Sequence, residues 1–404
     1  MIVILYNEPC KAMAQSAQNV LSEAFRHNVR IEIAQSSTVD VWQGEAEWND
    51  LLIVLFDENL FPARVDAFIN NFKATRRDAA MILPVSVNPL HCVPPGALSE
   101  YKALPYDRET CTPEGQLVRR VGAMQGLMLQ GRNTKVFISY RASDGTQIAS
   151  QIETHIRTLG YKPWRDEARE LDGYTSILPG EPVQQEIEAA LSEASLVLVI
   201  DTPESGSSRW IRAEIDAADA MLIPILPVVF RTESDMKKGP RLRTLLNLQR
   251  WVDMPFASAP LQTVLSSDEL NVITHQIETY LCDIFIRKCR VPFLVENCFR
   301  GAGYDWTTLD RALSMFKSSR VKDRRFRLTV HSHCSAFSEI YSPALDKFRV
   351  FLGSQPYANH ALYIYDGDLL SFEDIELYGD DFVTVLHHQE LSALLASNFV
   401  GVGI

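Results

Sequence analysis

The sequence predicts an α/β fold built on parallel sheets, and three observations support this prediction. Short apolar runs alternate with amphipathic stretches, as in strands that are connected by helices. The run Leu196–Ile200 is hydrophobic throughout, which is typical of a strand covered on both faces. The same order of elements occurs twice, in residues 1–130 and again from residue 133. We therefore expect two successive flavodoxin-like or Rossmann-like α/β domains and a smaller α/β or α+β domain after them.

Length and composition limit the number of domains and the cellular environment that the protein can have. A chain of 404 residues with 46% hydrophobic residues is long enough for several buried cores. We predict three domains, at residues 1–130, 133–286 and 287–404. The N-terminus lacks the basic segment of a signal peptide, and no apolar run approaches the roughly 20 residues that a membrane helix needs. The expectation is a soluble, cytoplasmic protein with no membrane partner.

Charge and cysteine usage exclude further classes of protein. A net charge of -12 argues against nucleic-acid binding, which depends on Lys and Arg side chains that neutralise phosphates. The seven cysteines include no CxxC pair, so reduced thiols are expected in place of a disulfide framework or a zinc finger.

The first segment has the periodicity of an α/β domain. Hydrophobic patterns predict strands at residues 2–6, 29–34, 50–56 and 80–87 and helices at residues 12–27, 61–76 and 113–129. The strand that ends at Asp57 resembles the later strand that ends at Asp201. The segment is either a degenerate relative of the central domain or an unrelated flavodoxin-like domain, and both interpretations remain open. No Trp followed by a Glu comes after Asp57, so we expect scaffolding, partner contact or sensing from this segment.

The central segment places three polar loops at one edge of its predicted sheet. Strands are expected at residues 136–140, 162–165 and 196–200, with helices at residues 146–159, 183–193 and 269–285 and a further apolar run at 221–230. Ligands of such sheets bind outside the carboxyl ends of the strands. The loops Tyr140–Asp144, Arg165–Glu181 and Thr202–Ser208 meet there.

Four motifs in this segment carry a family resemblance. They are Phe-Ile-Ser-Tyr at residues 137–140, Gly-Tyr-x-x-Trp-x-Asp at 160–166, Leu-Pro-Gly at 178–180 and Ser-x-Trp-x-x-x-Glu at 208–214. In this order they resemble the Toll/interleukin-1 receptor (TIR) domain, in the form found in bacterial defence proteins that consume NAD⁺. The resemblance implies an NAD⁺ nucleosidase that cleaves the nicotinamide–ribose bond, with Glu214 as the catalytic residue.

Glu214 suits that chemistry. Loss of nicotinamide leaves an oxocarbenium-like ribose, whose developing positive charge a neighbouring carboxylate stabilises. Trp210 lies four residues earlier and shares a helix face with Glu214, so both can flank one ligand. The alternative is that Glu214 is a solvated carboxylate on a helix surface.

Six further residues are candidates for substrate binding: Ser139, Tyr140, Arg141, Trp164, Ser208 and Trp210. The resemblance implies nucleotide contacts for the first three, with Arg141 suited to a diphosphate or to an ordinary surface position. The two tryptophans can stack on nicotinamide or adenine, and Ser208 can contact phosphate or simply cap a helix. The loop Asp166–Gly180 is longer than usual for the family, which puts any transfer of the family's assembly geometry in doubt.

The last segment gives no family. A strand at residues 291–295, a helix at 306–316 and a strand at 326–331 are expected, followed by further elements. His331 and His333 have the HxH spacing of some metal sites, but a structural role is the better hypothesis, and we predict no metal. The basic run at residues 317–327 is most simply a solvated surface and alternatively a contact for a nucleotide signal or a nucleic-acid end.

The functional expectation is an enzyme with NAD⁺ as its substrate and no separate cofactor, acting by hydrolysis or by cyclisation of ADP-ribose. The resemblance implies a role in antiviral defence or immune signalling, self-association through TIR domains, and activation by a nucleotide signal or a protein. The alternative is a TIR scaffold that recruits partners without turnover.

Overall fold

The structure is a computed structural model, and it divides into two compact units, Met1–Asp283 and Ile284–Ile404. The residues that it describes are 1–26, 29–39, 50–57, 63–76, 80–88, 93–107, 109–112, 114–128, 135–165, 189–191, 193–220, 223–232, 251–255, 263–302, 305–308, 314–317, 327–333, 358–365 and 383–396. Among these residues, no helix has the length and apolar character needed to cross a membrane.

The first sheet has five parallel strands in the order β2-β1-β3-β4-β5. Its strands β1, β3 and β4 are buried along their whole length, because helices cover both faces of the sheet, whereas the edge strand β2 is half-buried. The elements are β1 Ile2–Tyr6, α1 Lys11–Ala24, β2 Ile31–Gln35, β3 Leu51–Phe56, α2 Ala63–Arg76, β4 Met81–Ser86, β5 Leu104–Pro105 and α3 Gln116–Leu127.

The second sheet repeats this order with its own strands, as β7-β6-β8-β9-β10, and again every pair is parallel. Its elements are β6 Lys135–Ser139, α4 Ala142–Thr158, β7 Lys162–Arg165, β8 Ala194–Asp201, α5 Arg209–Ala220, β9 Ile225–Arg231, β10 Val252–Pro255 and α6 Ser267–Gly301. The predicted α/β fold with parallel sheets is confirmed. Most of the helix predicted at residues 183–193 lies outside the described residues.

The shared strand order does not decide how the two sheets are related. Both follow the flavodoxin-like order 2-1-3-4-5, which many unrelated α/β domains adopt. Descent of residues 1–130 from a TIR domain therefore stays a prediction, and so does the division into three domains.

Helix α3 is buried along residues 120–127 and contacts both α1 and strand β8 of the second sheet. Its Arg120 forms a buried ion pair with Glu278 of α6, and the Tyr161 hydroxyl donates to the same carboxylate at 3.1 Å. Removing one partner of such a pair would leave an uncompensated buried charge. These contacts join the two sheets to α6.

Two glycines allow α3 to approach α6 closely. A Cβ at Gly122 would lie 2.4 Å from the Cys282 Sγ atom, and one at Gly126 would lie 2.6 Å from the Leu281 carbonyl oxygen. We expect Gly126→Ala to lower the free energy of unfolding, because overpacking costs about 1–3 kcal/mol and a backbone carbonyl cannot rotate away. Chemical denaturation measures the change. In the control, Gly206→Ala, the added Cβ meets nothing within 4 Å; equal stability of the two variants would contradict the close packing.

The half-buried position of His155 predicts a pH dependence of stability. Burial lowers the pKa of His155, and the nearby charges of Lys102 and Arg120 lower it further. As the pH falls through the ordinary value of 6.5, the unfolded chain therefore binds the proton before the folded protein does. We expect the free energy of unfolding to decrease below that pH, and His155→Gln to reduce the slope. Burial also lowers the pKa of His275, so some slope remains; an unchanged slope in the variant would refute the role of His155.

The third sheet lies in the second unit and is mixed. It has the order β11-β12-β13-β14-β15, with antiparallel pairing from β11 to β13 and parallel pairing from β13 to β15. The elements are β11 Asp305–Thr308, β12 Ser314–Lys317, β13 Arg327–His333, β14 Ala358–Tyr365, β15 Val383–His387 and α7 Leu391–Ala396.

Two predictions for the last segment are wrong. The strand predicted at residues 291–295 belongs to α6, which continues to Gly301 and buries Cys289, Val295 and Phe299. In place of the helix predicted at residues 306–316, the described residues at the two ends of that range form antiparallel strands, in which Trp306 pairs with Phe316. Short apolar runs do not distinguish helix from strand, so pairing and burial decide.

Candidate functional site

The candidate site lies where β6 and β8 end side by side in the second sheet. The chain leaves β6 towards one edge of the sheet, to β7, and leaves β8 towards the other, to β9. At such a switch point the loops diverge and leave a crevice, which is where sheets of this kind bind ligands. Helices α4 and α5 begin beside it.

The loop before α5 is held by its own hydroxyl groups. The Ser205 hydroxyl accepts the Thr202 backbone N–H at 2.8 Å and donates to the Ile200 carbonyl at 3.1 Å. The Ser208 Oγ atom accepts the Ile211 backbone N–H at 3.4 Å, and the Arg212 guanidinium donates to the Gly206 carbonyl at 2.6 Å. Ser208 thus caps α5, and the start of the helix is fixed at the crevice.

Glu214 is buried on α5 and hydrogen-bonded to β6. Its side chain is 7% exposed, and the Ser139 hydroxyl, itself 1% exposed, donates to its Oε2 atom at 2.6 Å. A hydrogen bond to a carboxylate is stronger than one between neutral groups, so it restrains the rotation of the carboxylate. Glu214 is not the solvated carboxylate of the alternative hypothesis. The sequence predicted both residues, but with Ser139 as a nucleotide contact.

An open cleft of about 400 Å³ lies at the starts of α4 and α5. We call it the phosphate-side cleft; its lining is Arg141, Ala142, Ser143, Ser207, Ser208, Arg209 and Trp210. Its volume falls in the range of small-molecule sites. Trp210 is 45% exposed, and Glu214 lies one helical turn beyond it without lining the cleft.

Three of the predicted substrate-binding residues meet in this cleft. They are Arg141, Ser208 and Trp210. The Arg141 guanidinium lies 3.7 Å from an Asp144 carboxylate oxygen, which orients it at the start of α4. The sequence prediction missed Arg209, Ser143 and Ser207. Their only signal in the sequence was that they lie close to predicted site residues, because Arg and Ser are common in loops and in the first turns of helices.

Trp164 and Tyr140 lie outside the lining of the cleft. The Trp164 ring stacks on Phe137, with ring centroids 4.8 Å apart, and packs against the core beneath α5. Tyr140 is half-buried and hydrogen-bonds through its side chain with Arg165. Contact of either residue with substrate stays a prediction. The long loop at residues 166–180 lies outside the described residues.

No cluster of three or more His, Cys, Asp or Glu side chains is placed to hold a metal ion within the described ranges. His331 and His333 both belong to β13, and Cys334 lies outside those ranges.

Comparison with known proteins identifies the central segment. Residues 136–265 match the family model of the TIR domain. No curated protein matches the chain.

Two solved structures match the chain at low sequence identity and a low TM-score. A metazoan TIR-STING receptor from C. gigas in complex with 2′,3′-cGAMP is 12% identical, with a TM-score of 0.24 over 65% of this chain and 94% of that chain. The C-terminal domain of glucosamine-fructose-6-phosphate aminotransferase from Francisella tularensis is 8% identical, with a TM-score of 0.20 over 71% of this chain and 85% of that chain. Likeness at this level says nothing about the activity of this chain.

Proposed function

We propose that the TIR domain at residues 136–265 cleaves NAD⁺ at the nicotinamide–ribose bond, with Glu214 as the catalytic residue. The observation that carries the proposal is the buried Glu214 carboxylate, which Ser139 holds one helical turn from a ligand-sized cleft. Desolvating a charge is costly, so a carboxylate that is buried beside a ligand-sized cleft is a candidate for the chemistry. NAD⁺ is the substrate, and no separate cofactor is proposed.

The carboxylate would act on the charge that develops at the ribose. As the bond to nicotinamide breaks, the bonding electrons leave with the nicotinamide, and C1′ of the ribose takes on oxocarbenium character. A fixed carboxylate beside it stabilises that cation, as in glycosidases. Because Glu214 is almost fully buried, little water screens the interaction. Ser139 would keep the carboxylate in place, so it does not have to reorganise during the reaction.

The phosphate-side cleft would bind the rest of the dinucleotide. The half-exposed ring of Trp210 offers a face on which nicotinamide or adenine can stack. The Arg141 guanidinium can bind a phosphate with two parallel hydrogen bonds. Trp210 and Glu214 share a face of α5, so a base stacked on the ring would bring its ribose towards the carboxylate.

The group that attacks C1′ determines the product. Attack by water gives ADP-ribose, whereas attack by a group of the same nucleotide gives a cyclic product. Chromatography of the products with NAD⁺ labelled in the adenine ring separates these outcomes.

The biological part of the proposal rests on the family resemblance. We propose a role in bacterial antiviral defence or immune signalling, in which self-association of TIR domains and a nucleotide signal or protein activator control turnover. An NAD⁺-consuming enzyme requires such control, because unrestrained activity would deplete the cell of its cofactor.

Release of nicotinamide from NAD⁺ by the purified full-length chain tests the activity. We expect release by the wild-type protein at concentrations that allow self-association, and strongly reduced release by Glu214→Gln. Equal release by the two proteins would refute the role of Glu214. A wild-type protein that self-associates and releases no nicotinamide is either a scaffold or an enzyme that awaits its activator.

A further inference from the structure

The lining of the phosphate-side cleft is cationic. It contains two guanidinium groups and three serine hydroxyls, and none of its lining residues is a carboxylate. The two arginines come from different segments of the chain, since Arg141 precedes α4 and Arg209 is the first residue of α5. The fold therefore brings together two positive charges that are far apart in the sequence.

The two arginines differ in how far their charges are balanced. Asp144 lies 3.7 Å from Arg141 and offsets part of its charge. Arg209 is exposed, and no carboxylate lies within ion-pair distance of it in the described part of the chain. Its guanidinium can bind an anion without first breaking an ion pair.

The surroundings of Arg209 also favour an anion. The first turns of α4 and α5 both border the cleft, and the amino ends of helices carry partial positive charge and unpaired N–H groups. Ser208 adds a hydroxyl group that can donate to a phosphate oxygen while its own oxygen caps α5. The helix ends reinforce a preference that the arginines already establish.

We propose that Arg209 acts with Arg141 to bind the diphosphate bridge of the substrate, and that Arg209 thereby selects dinucleotides over phosphate-free pyridine nucleosides. This inference rests on the proposed function and specifies the substrate class of that site. A diphosphate bridge carries two adjacent negative charges, which match two guanidinium groups. Arg209 and Trp210 are consecutive, so one turn of α5 would contact both the phosphates and a base.

The test compares substrates with and without phosphate. Nicotinamide release from NAD⁺ and from nicotinamide riboside is measured for the wild-type chain, Arg209→Gln, Arg209→Lys and Arg157→Gln. Arg157 is the control for loss of a positive charge, because it is 62% exposed on α4 and lies outside the cleft; unlike Arg209, it pairs with Glu153. Calorimetry then measures the affinity for ADP-ribose at two salt concentrations. ADP-ribose contains the diphosphate but no bond to cleave, so its affinity reports the phosphate contact separately from catalysis.

We expect Arg209→Gln to lower kcat/KM for NAD⁺ and the affinity for ADP-ribose by about tenfold or more, the usual effect of losing a hydrogen bond to a charged group. Activity on nicotinamide riboside should change less than about twofold, since the riboside has no phosphate to lose. The salt dependence of ADP-ribose binding should weaken, because fewer charges interact. Arg209→Lys should keep part of the affinity for ADP-ribose that Arg209→Gln loses. Arg157→Gln should bind ADP-ribose as tightly as the wild-type chain does.

Two results would overturn the inference, and they differ from failure of the proposed function. The first is an equal loss on NAD⁺ and riboside in Arg209→Gln, which would indicate a structural role. The second is an unchanged affinity for ADP-ribose. If the wild-type chain releases nicotinamide and either result is found, only the role of Arg209 fails. If the wild-type chain neither binds ADP-ribose nor releases nicotinamide, the proposed function fails with it.

Discussion

Glu214→Gln is expected to reduce nicotinamide release about 10²–10³-fold, the usual cost of removing a group that stabilises charge in a transition state. The amide has nearly the same shape as the carboxylate, and its oxygen can still accept the hydrogen bond from Ser139. The variant therefore loses charge with little change in packing. Because the lost interaction forms fully only as the ribose becomes cationic, kcat should fall while KM changes little.

Asp216→Asn is the control for this experiment. Asp216 is an exposed carboxylate on the same helix, so the change removes an equal charge at the surface. It should leave the release of nicotinamide nearly unchanged. Comparable losses in the two variants would show that the net charge of α5 matters and that the position of Glu214 does not. Unfolding curves for both variants test whether the fold is intact.

Ser139→Ala is expected to lower kcat by about 10–100-fold, because it removes a hydrogen bond to a buried charged group. Without the hydroxyl the carboxylate can rotate away from the position that suits the ribose. Ser139→Thr should restore part of the activity, since threonine keeps the hydroxyl but adds a methyl group at a fully buried position. The affinity for ADP-ribose should change little, because Ser139 acts through Glu214.

A double-mutant cycle separates positioning from direct substrate binding. If Ser139 acts only through the carboxylate, Ser139→Ala should have little further effect in the Glu214→Gln protein. Additive losses would instead support the nucleotide contact that the family resemblance implies for Ser139. A loss of ADP-ribose affinity in Ser139→Ala would support the same contact.

The sequence was sufficient for four strands of each parallel sheet, because these strands are local apolar runs bounded by polar loops; the short strands β5 and β10 were not predicted. Leu51–Phe56 and Ala194–Asp201 illustrate this, since every residue in both strands is buried. It was insufficient for residues 291–316, where apolar runs of a few residues fit a helix or a strand equally well. There, burial along α6 and pairing between β11 and β12 decided the structure.

The sequence by itself determined that Trp210 and Glu214 share a helix face, because spacing along a helix is a local property. Only the tertiary structure decided what surrounds them. Ser139 and Glu214 lie 75 residues apart in the sequence and meet because β6 and β8 are neighbours in the sheet beside α5. For the same reason Arg141 and Arg209 line one cleft, while Trp164 packs on Phe137 and lies outside that lining. Contacts between distant segments depend on strand order, which no local pattern encodes.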